Sequence, residues 1–499
     1  MIAVTVVIVT AIYCVDLRNT PVYFGGDEAH FAVGAHAIAT TGRNLNGDLL
    51  PVFFNLEDQA GARRQPWGDT WYHPLPFYLI AIVVKVLPFS IETVRLPSAL
   101  ICGVFMPLLI FLVARRLTGV DGAAMLAALV AALSPANVVM SRQALDYALP
   151  LPFVIGWLWF LHAYMGSRQT KYLVLGGFTL GLGCYSYIAS WALMPVYLLM
   201  TWIVLLRAKA GLSPIVVSGI AFVLPLVAAP LWIAAHSDAW AGTVARYSTH
   251  AVPKAGFLST YLSLLNPVVL FARGGPSMTT STARSGFVLL PAALFLAAGV
   301  FETARRRDWM SAVIVAGVLT APLPAAFKGE PGMIQSATYL LPFLALLASL
   351  GCVALWRSRG GRAIAIAAIL AAPVQFGYFY FDYFTHYKLR SAFYYDPVAF
   401  RDVAAYLLQS PDAPAFYFTN DVDDASIKWR FYAISANRTD LLPRTQYIDP
   451  DDRPPAPPGS LLVTYDYTAR RVALAAAGWR TETVIYDVDN RPAAVIFRR

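Results

Sequence analysis

Charge is scarce in this chain. Asp, Glu, Lys and Arg make up 13% of its 499 residues against 58% hydrophobic residues, and the mean hydropathy is +0.56. That balance excludes an ordinary soluble domain and leaves a polytopic membrane protein. Cysteine is nearly absent. Cys14, Cys102, Cys184 and Cys352 each fall in an apolar run, with no CxxC spacing and no histidine nearby, so neither disulfides nor a zinc site are expected. There is no internal repeat. Residues 1–15 lack a basic n-region and a small-residue cleavage pattern, so no cleavable signal is evident and the segment reads as a first membrane helix. It falls short of the roughly 20 apolar residues a span needs, and Asp16 and Arg18 interrupt it. A true start upstream of Met1 is the expectation. The formal charge of +9 invites a nucleic-acid partner; position argues against one, because many basic residues lie in short clusters between apolar runs, as orientation signals do.

Ten further apolar runs are long enough to span, at 96–113, 122–140, 149–164, 172–187, 189–206, 215–235, 287–303, 310–326, 337–356 and 363–381. Eleven spans are therefore expected. Every second connection carries a basic cluster: Arg115-Arg116, Arg168/Lys171, Arg207/Lys209, Arg305-Arg306-Arg307 and Arg357/Arg359/Arg362. The positive-inside rule places these in the cytoplasm, with the N-terminus inside and the C-terminus outside. The external connections are then a first loop of about 16–95, the turns near Asp146 and Tyr187, the loop 236–286 and the segment around Lys328. The segment 74–88 is too short to span and has a proline at each end, so it reads as an interfacial or re-entrant helix. Residues 28–39, with Phe31, Ala35 and Ile38 on one stripe, read as a second such helix. Beyond residue 381 the chain turns polar. Two domains are expected: a membrane domain at 1–381 and a small extracytoplasmic α/β domain at 382–499, with helices at 398–409 and 424–437, strands at 415–419, 461–465, 483–486 and 493–497, and a hairpin through Asp489-Asn490.

The residues that carry chemistry sit in the external connections. Asp27-Glu28 lies in Gly25-Gly26-Asp27-Glu28-Ala29-His30; the first loop adds Arg63, Arg64, Asp69 and His73. In the second external turn Arg142 and Asp146 are four apart and share a helical face. Arg284 lies in the loop 236–286, and Lys328 precedes Gly329-Glu330. Carboxylates at a membrane edge are costly and persist where they do chemistry or carry ions. Glycosyl transfer would use them: a carboxylate takes the proton of an attacking hydroxyl, and cations neutralise a departing phosphate. An acid pair could instead hold a divalent metal. Bland readings stand beside these. Asp27 could cap the helix at 28–39, Asp146 could pair with Arg142 or cap the next span, and Arg142 and Lys328 could snorkel to headgroups. A transporter or lipid-linked sugar flippase is the alternative, but it would place polar residues deep in several spans.

Five segments in order carry a resemblance: Gly26-Asp27-Glu28; Tyr72-His73-Pro74-Leu75-Pro76-Phe77-Tyr78; Val94-Arg95-Leu96-Pro97-Ser98-Ala99-Leu100; Ala114-Arg115-Arg116-Leu117; and Ser134-Pro135 followed by Arg142 and Asp146. Over residues 20–165 the chain resembles the GT-C glycosyltransferases that use polyprenyl-phosphate-linked sugars, particularly bacterial relatives of the protein O-mannosyltransferases and the lipid A aminoarabinose transferases. The resemblance implies a multi-pass enzyme of a bacterial inner membrane. It would move a sugar with inversion from a polyprenyl phosphate to a hydroxyl on a protein, lipid or glycan, without metal or cofactor. It implies Asp27 as the base on the acceptor and Asp146 as the supporting acid; Glu28, His30, His73, Arg142, Arg284 and Lys328 are the candidate substrate contacts beside them. The chain departs from the pattern at His73-Pro74-Leu75, where relatives often have Lys-Pro-Pro, and at His30, where aminoarabinose transferases tend to have arginine. Arg142, Arg284 or Lys328 would then supply the cation for the phosphate.

Overall fold

The structure, a computed structural model, describes residues 2–55, 71–249, 256–452 and 455–499; Arg63, Arg64 and Asp69 lie outside the described residues. Every apolar run is helical. Among the described residues, five helices are long and apolar enough to cross a membrane: Ile91–Thr118, Ser190–Arg207, Leu212–Ala235, Trp309–Lys328 and Arg359–Phe384. The pair Asp121–Ala132 and Pro135–Ser141, bent by 55°, makes a sixth if it is one span. The bend falls where Pro135 has no N–H to donate and Ser134 caps a new helix, its hydroxyl accepting from Asn137 N at 3.2 Å. The other runs form shorter helices, including α1 (Ile2–Cys14), Leu151–Ser167, Thr170–Gly183, Ala292–Arg306 and Leu340–Leu355. Length and composition alone thus support fewer crossings than the eleven expected.

The bundle is built around Leu340–Leu355, buried at every residue from Leu340 to Cys352. A helix that is apolar all round belongs in the middle of a bundle. Small residues let its neighbour approach: a Cβ on Gly351 would lie 1.8 Å from the carbonyl oxygen of Phe295. Van der Waals packing of this kind holds helices together where lipid supplies no hydrophobic contrast.

Two short helices follow α1. α2 (Gly26–Thr41) buries Phe31, Ala35 and Ile38, the expected stripe, and also Ala29, Ala32, Val33 and Gly34. Its burial extends round the helix because α3 (Pro74–Val84) packs on one side, Phe31 meeting Phe77 at 5.0 Å, and the helix Ala425–Ser435 on another. The strands β1 (Phe54–Asn55) and β2 (Trp71–Tyr72) form a small antiparallel ladder beside α3.

Near the C-terminus lies a five-stranded mixed sheet of β3 (Phe416–Thr419), β4 (Thr445–Ile448), β5 (Leu461–Tyr465), β6 (Arg480–Tyr486) and β7 (Pro492–Arg498), ordered β4-β3-β5-β7-β6. β3 runs parallel to β4 and β5, while β7 is antiparallel to β5 and β6. The β6–β7 connection is the expected hairpin, its turn tied by Asp487 Oδ1, which accepts from Asp489 N at 2.8 Å and Arg491 N at 3.0 Å. The helices expected at 398–409 and 424–437 are Phe400–Leu408 and Ala425–Ser435. β4 was not expected.

Candidate active site

The site is assembled on a buried ion pair. Arg95, wholly buried in the first turns of its helix, uses all five guanidinium protons. Nε and Nη2 donate to Glu28 at 2.8 and 2.7 Å; the rest go to the carbonyls of Leu17 (2.8 Å), Pro21 (3.0 Å) and Tyr23 (2.8 Å). Glu28 is just as fully occupied. Besides Arg95 it accepts from Gly25 N at 3.1 Å and from Ala144 N at 2.8 Å. One carboxylate therefore joins the loop after α1, the head of α2, the helix of Arg95 and the turn that carries Asp146. Glu28, expected as a substrate contact, has its four acceptor positions filled by protein.

This clamp settles the capping question at Asp27. The residue before α2 is Gly25, and its N–H is taken by Glu28, so Asp27 stands inside the helix at its second position. Its carboxyl is hydrogen-bonded to Tyr72 and lies within electrostatic reach of Arg246, His30 and Asp424. Burial raises it above the ordinary carboxylate range, and Asp424 adds to the shift; Arg246, His30 and Tyr72 oppose it. Asp146 lies within electrostatic reach of Asp27 and Arg246. Burial first, then the charge of Asp27, push its carboxyl up to about 8, against a backbone hydrogen bond and Arg246. The two external acids expected from sequence are thus brought together. The sequence reading missed Arg246, whose charge acts on Asp27, Asp146 and Asp424 alike. Arg246 comes from the helix Ser237–Thr249 and donates from Nη1 to the Tyr72 hydroxyl at 3.0 Å. Asp424, from the head of Ala425–Ser435, was also missed; its Oδ1 is 3.6 Å from His30 Nε2. Nothing local marks either residue, since each becomes part of the site only through packing of distant segments. Among the described residues no three His, Cys, Asp or Glu side chains converge to hold a metal.

The remaining expected contacts are placed elsewhere. Arg142 is wholly buried, and its four Nη protons meet the carbonyls of Ile12 (3.0 Å), Tyr13 (2.9 Å), Val15 (2.6 Å) and Thr20 (3.1 Å). It ties the last turn of α1, through Ile12 and Tyr13, to the segment that follows, through Val15 and Thr20, and its guanidinium carbon sits 4.9 Å from the centroid of the Phe384 ring. These carbonyls take the protons that a substrate contact, or the alternative pairing with Asp146, would have used. His73 precedes α3 in an aromatic nest with Phe53 at 5.9 Å, and burial pushes it down to about 3. It is neutral at physiological pH and supplies no cation. Arg284 shares Asp382 with Arg390, at 3.3 and 2.7 Å. Lys328 pairs with Glu330 at 2.9 Å.

Multiple apolar helices, Asp27 on a short helix and Asp146 in a turn beside them, and a small mixed sheet whose region supplies Asp424 describe a polytopic helical membrane protein. Residues 68–233 match the family model described as dolichyl-phosphate-mannose-protein mannosyltransferase. The whole chain is similar to the crystal structure of ArnT from Cupriavidus metallidurans in the apo state, with a TM-score of 0.63 and 14% identity over 99% of this chain and 97% of that one. The same protein bound to undecaprenyl phosphate gives a TM-score of 0.62, with the same identity and coverage. The oligosaccharyltransferase of Archaeoglobus fulgidus tethered with an acceptor peptide gives a TM-score of 0.53 at 12% identity, over 98% of this chain and 73% of that one. No curated protein matches the sequence. The resemblance to the GT-C enzymes read from the sequence is borne out at the level of fold and family model.

Proposed function

We propose that this protein is a membrane glycosyltransferase that moves a sugar from a polyprenyl phosphate to a hydroxyl-bearing acceptor at the external membrane face, with inversion. The observation that carries the reading is the pairing of Asp27 with Asp146 around one arginine, Arg246, on a fold shared with enzymes of this class. Asp146, whose carboxyl is pushed up to about 8, takes the supporting role, and Asp27, at the head of α2, is assigned as the base. Asp27 takes the proton of the acceptor hydroxyl as its oxygen bonds to the anomeric carbon. The bond from that carbon to the phosphate oxygen breaks, and its electron pair leaves with the phosphate. Arg246, beside Tyr72, is the cation best placed to neutralise the charge that builds there. Arg142 and Glu28 hold the scaffold and do not touch substrate.

The remaining parts of the reading follow from charge distribution. Eleven spans, an N-terminus inside and a C-terminal α/β domain at 382–499 outside agree with the five basic clusters, and a bacterial inner membrane is what the family resemblance adds. The test is transfer of label from polyprenyl-phosphate-linked sugars to endogenous acceptors in membranes. Asp27→Asn and Asp27→Ala are expected to insert normally and to lose transfer by about 10²-fold or more. Transfer near the wild-type rate in both variants overturns the assignment.

A further inference from the structure

His30 follows Asp27 by three residues and therefore shares its face of α2. Its ring lies nearly parallel to Tyr72, with centroids 6.5 Å apart. Nε2 faces Asp424 at 3.6 Å, whereas Nδ1 is buried with no hydrogen-bond partner. A buried polar atom without a partner is costly and calls for an explanation. Asp424, almost four hundred residues along the chain, is held against α2 by two features. Its backbone is left-handed, with φ of 54°. Residue 26 is glycine, and a Cβ there would lie 1.7 Å from Asp424 Oδ2. Phe431, on the helix that Asp424 precedes, meets Phe24 in the segment leading into α2 at 4.4 Å and Phe89 ahead of the helix of Arg95 at 5.0 Å. The charged and titratable groups acting around the pair include Asp27 on α2, Tyr72 on β2, Arg246 on Ser237–Thr249, Asp423 next to Asp424 and Lys428 on the helix that follows.

We propose that Asp424 and His30 form a carboxylate–imidazole dyad in which Asp424 accepts from Nε2–H, fixing the tautomer, so that Nδ1 is presented as the acceptor for a substrate hydroxyl beside Asp27. The inference rests on the glycosyltransferase reading and makes the sheet-bearing C-terminal region part of the active site. Asp424 is a positioning residue; His30 touches the substrate. The 3.6 Å separation closes to a hydrogen bond in the loaded site, as is common for catalytic pairs that are long when empty. A carboxylate partner is the usual device for setting which imidazole nitrogen carries the proton.

The experiment uses the full-length protein in lipid nanodiscs with undecaprenyl-phosphate-linked sugars as probes. His30→Gln, Asp424→Asn, the double variant and Gly26→Ala are compared with wild type. Asp424→Asn is expected to weaken use of substrate roughly ten-fold, the loss of about one hydrogen bond. A hydroxyl on the donor sugar raises KM for the donor; a hydroxyl on the acceptor lowers kcat at saturating donor. In the His30→Gln background Asp424→Asn should add nothing, because the two act as one unit. Gly26→Ala, which keeps both dyad side chains but displaces Asp424, should reproduce the Asp424→Asn loss and carries the test if that variant fails to fold. Multiplicative losses, or wild-type kinetics in Asp424→Asn, overturn the dyad. ¹⁵N-histidine NMR, with His30 assigned by its absence in His30→Gln, reads the dyad without turnover. One tautomer in wild type and a mixture in Asp424→Asn support it, and identical spectra overturn it. Absence of transfer from every donor by the wild type counts against the function, while the NMR result stands independently.

Discussion

At Asp146 burial and the charge of Asp27 act in the same direction, and the consequence is a stability that runs against the usual trend for carboxylates. An unfolded Asp releases its proton near 3.8; the folded side chain holds it to about 8. Below about pH 4 the group is neutral in both states and imposes no penalty. Between about pH 4 and pH 8 only the unfolded state ionises, so the folded state loses ground as pH rises. Asp146→Asn, neutral at every pH, is expected to flatten this slope and to melt above wild type near pH 9 by an amount on the order of a few kcal/mol, while matching it near pH 4. Thermal unfolding in nanodiscs across that range measures it; an equal offset at both ends would remove Asp146 from the buried pair. The two acids were legible in the sequence because carboxylates beside apolar runs stand out against a background of little charge. Arg246 and Asp424 were not, because an arginine in Ser237–Thr249 and an aspartate before Ala425–Ser435 look like solvated loop charges until folding carries them to α2. Arg142 misled for a related reason: its spacing to Asp146 reads as a surface pair, and only the tertiary structure reveals the carbonyls at the end of α1 that take its protons.

Among the elements, α2 is the one whose placement decides the site, and its placement depends on Glu28. The helix has a glycine cap and no side chain closing its first turn from the N-cap position. Glu28 supplies that closure and at the same time binds Arg95 and the Asp146 turn. Breaking a buried pair by removing one partner leaves the other charge uncompensated, at a cost of about 3–5 kcal/mol. Glu28→Gln and Arg95→Met are each expected to lower stability by that order, and Glu28→Leu combined with Arg95→Leu to cost less than the sum of the two single changes. Melting temperatures of the purified variants test this, and additive losses would mean that the two residues are not a unit. The double variant should still lack transfer, since the loop, α2 and the Asp146 turn lose their common anchor. Helix positions could be read from apolar run length, but not their breaks. Pro135 splits one run after Ser134, and the run at 310–326 divides into Trp309–Thr320 and Leu323–Lys328 beside Pro322. β4, the segment Thr-Gln-Tyr-Ile ahead of a proline-rich loop, carries no alternation strong enough to announce a strand; it forms because the edge of β3 is open to it.

For the whole molecule the decisive quantity is which face of the membrane each connection occupies, since the proposed transfer needs the acid pair and the sheet-bearing region on one side. In the proposed eleven-span reading the five basic clusters lie on alternate connections, and moving any one of them across a bilayer would leave arginines or lysines on the disfavoured face. The structure adds an independent constraint. Asp424 and His30 are in contact range, so the C-terminal sheet and α2 share a side, and the connection carrying Asp146 shares it with them through Glu28 and Ala144. Single cysteines at exposed positions distinguish the two faces. Cys102, Cys184 and Cys352 are buried and contribute little background to a membrane-impermeant maleimide. Asp412→Cys, beside the sheet, is expected to label from the outside of intact cells, and Ser167→Cys, next to the Arg168/Lys171 cluster, only after the membrane is opened. Labelling of both from one side would contradict the alternation. Labelling of Ser167→Cys alone from outside would invert the molecule and bring the acid pair to the cytoplasm, where the proposed external transfer could not occur.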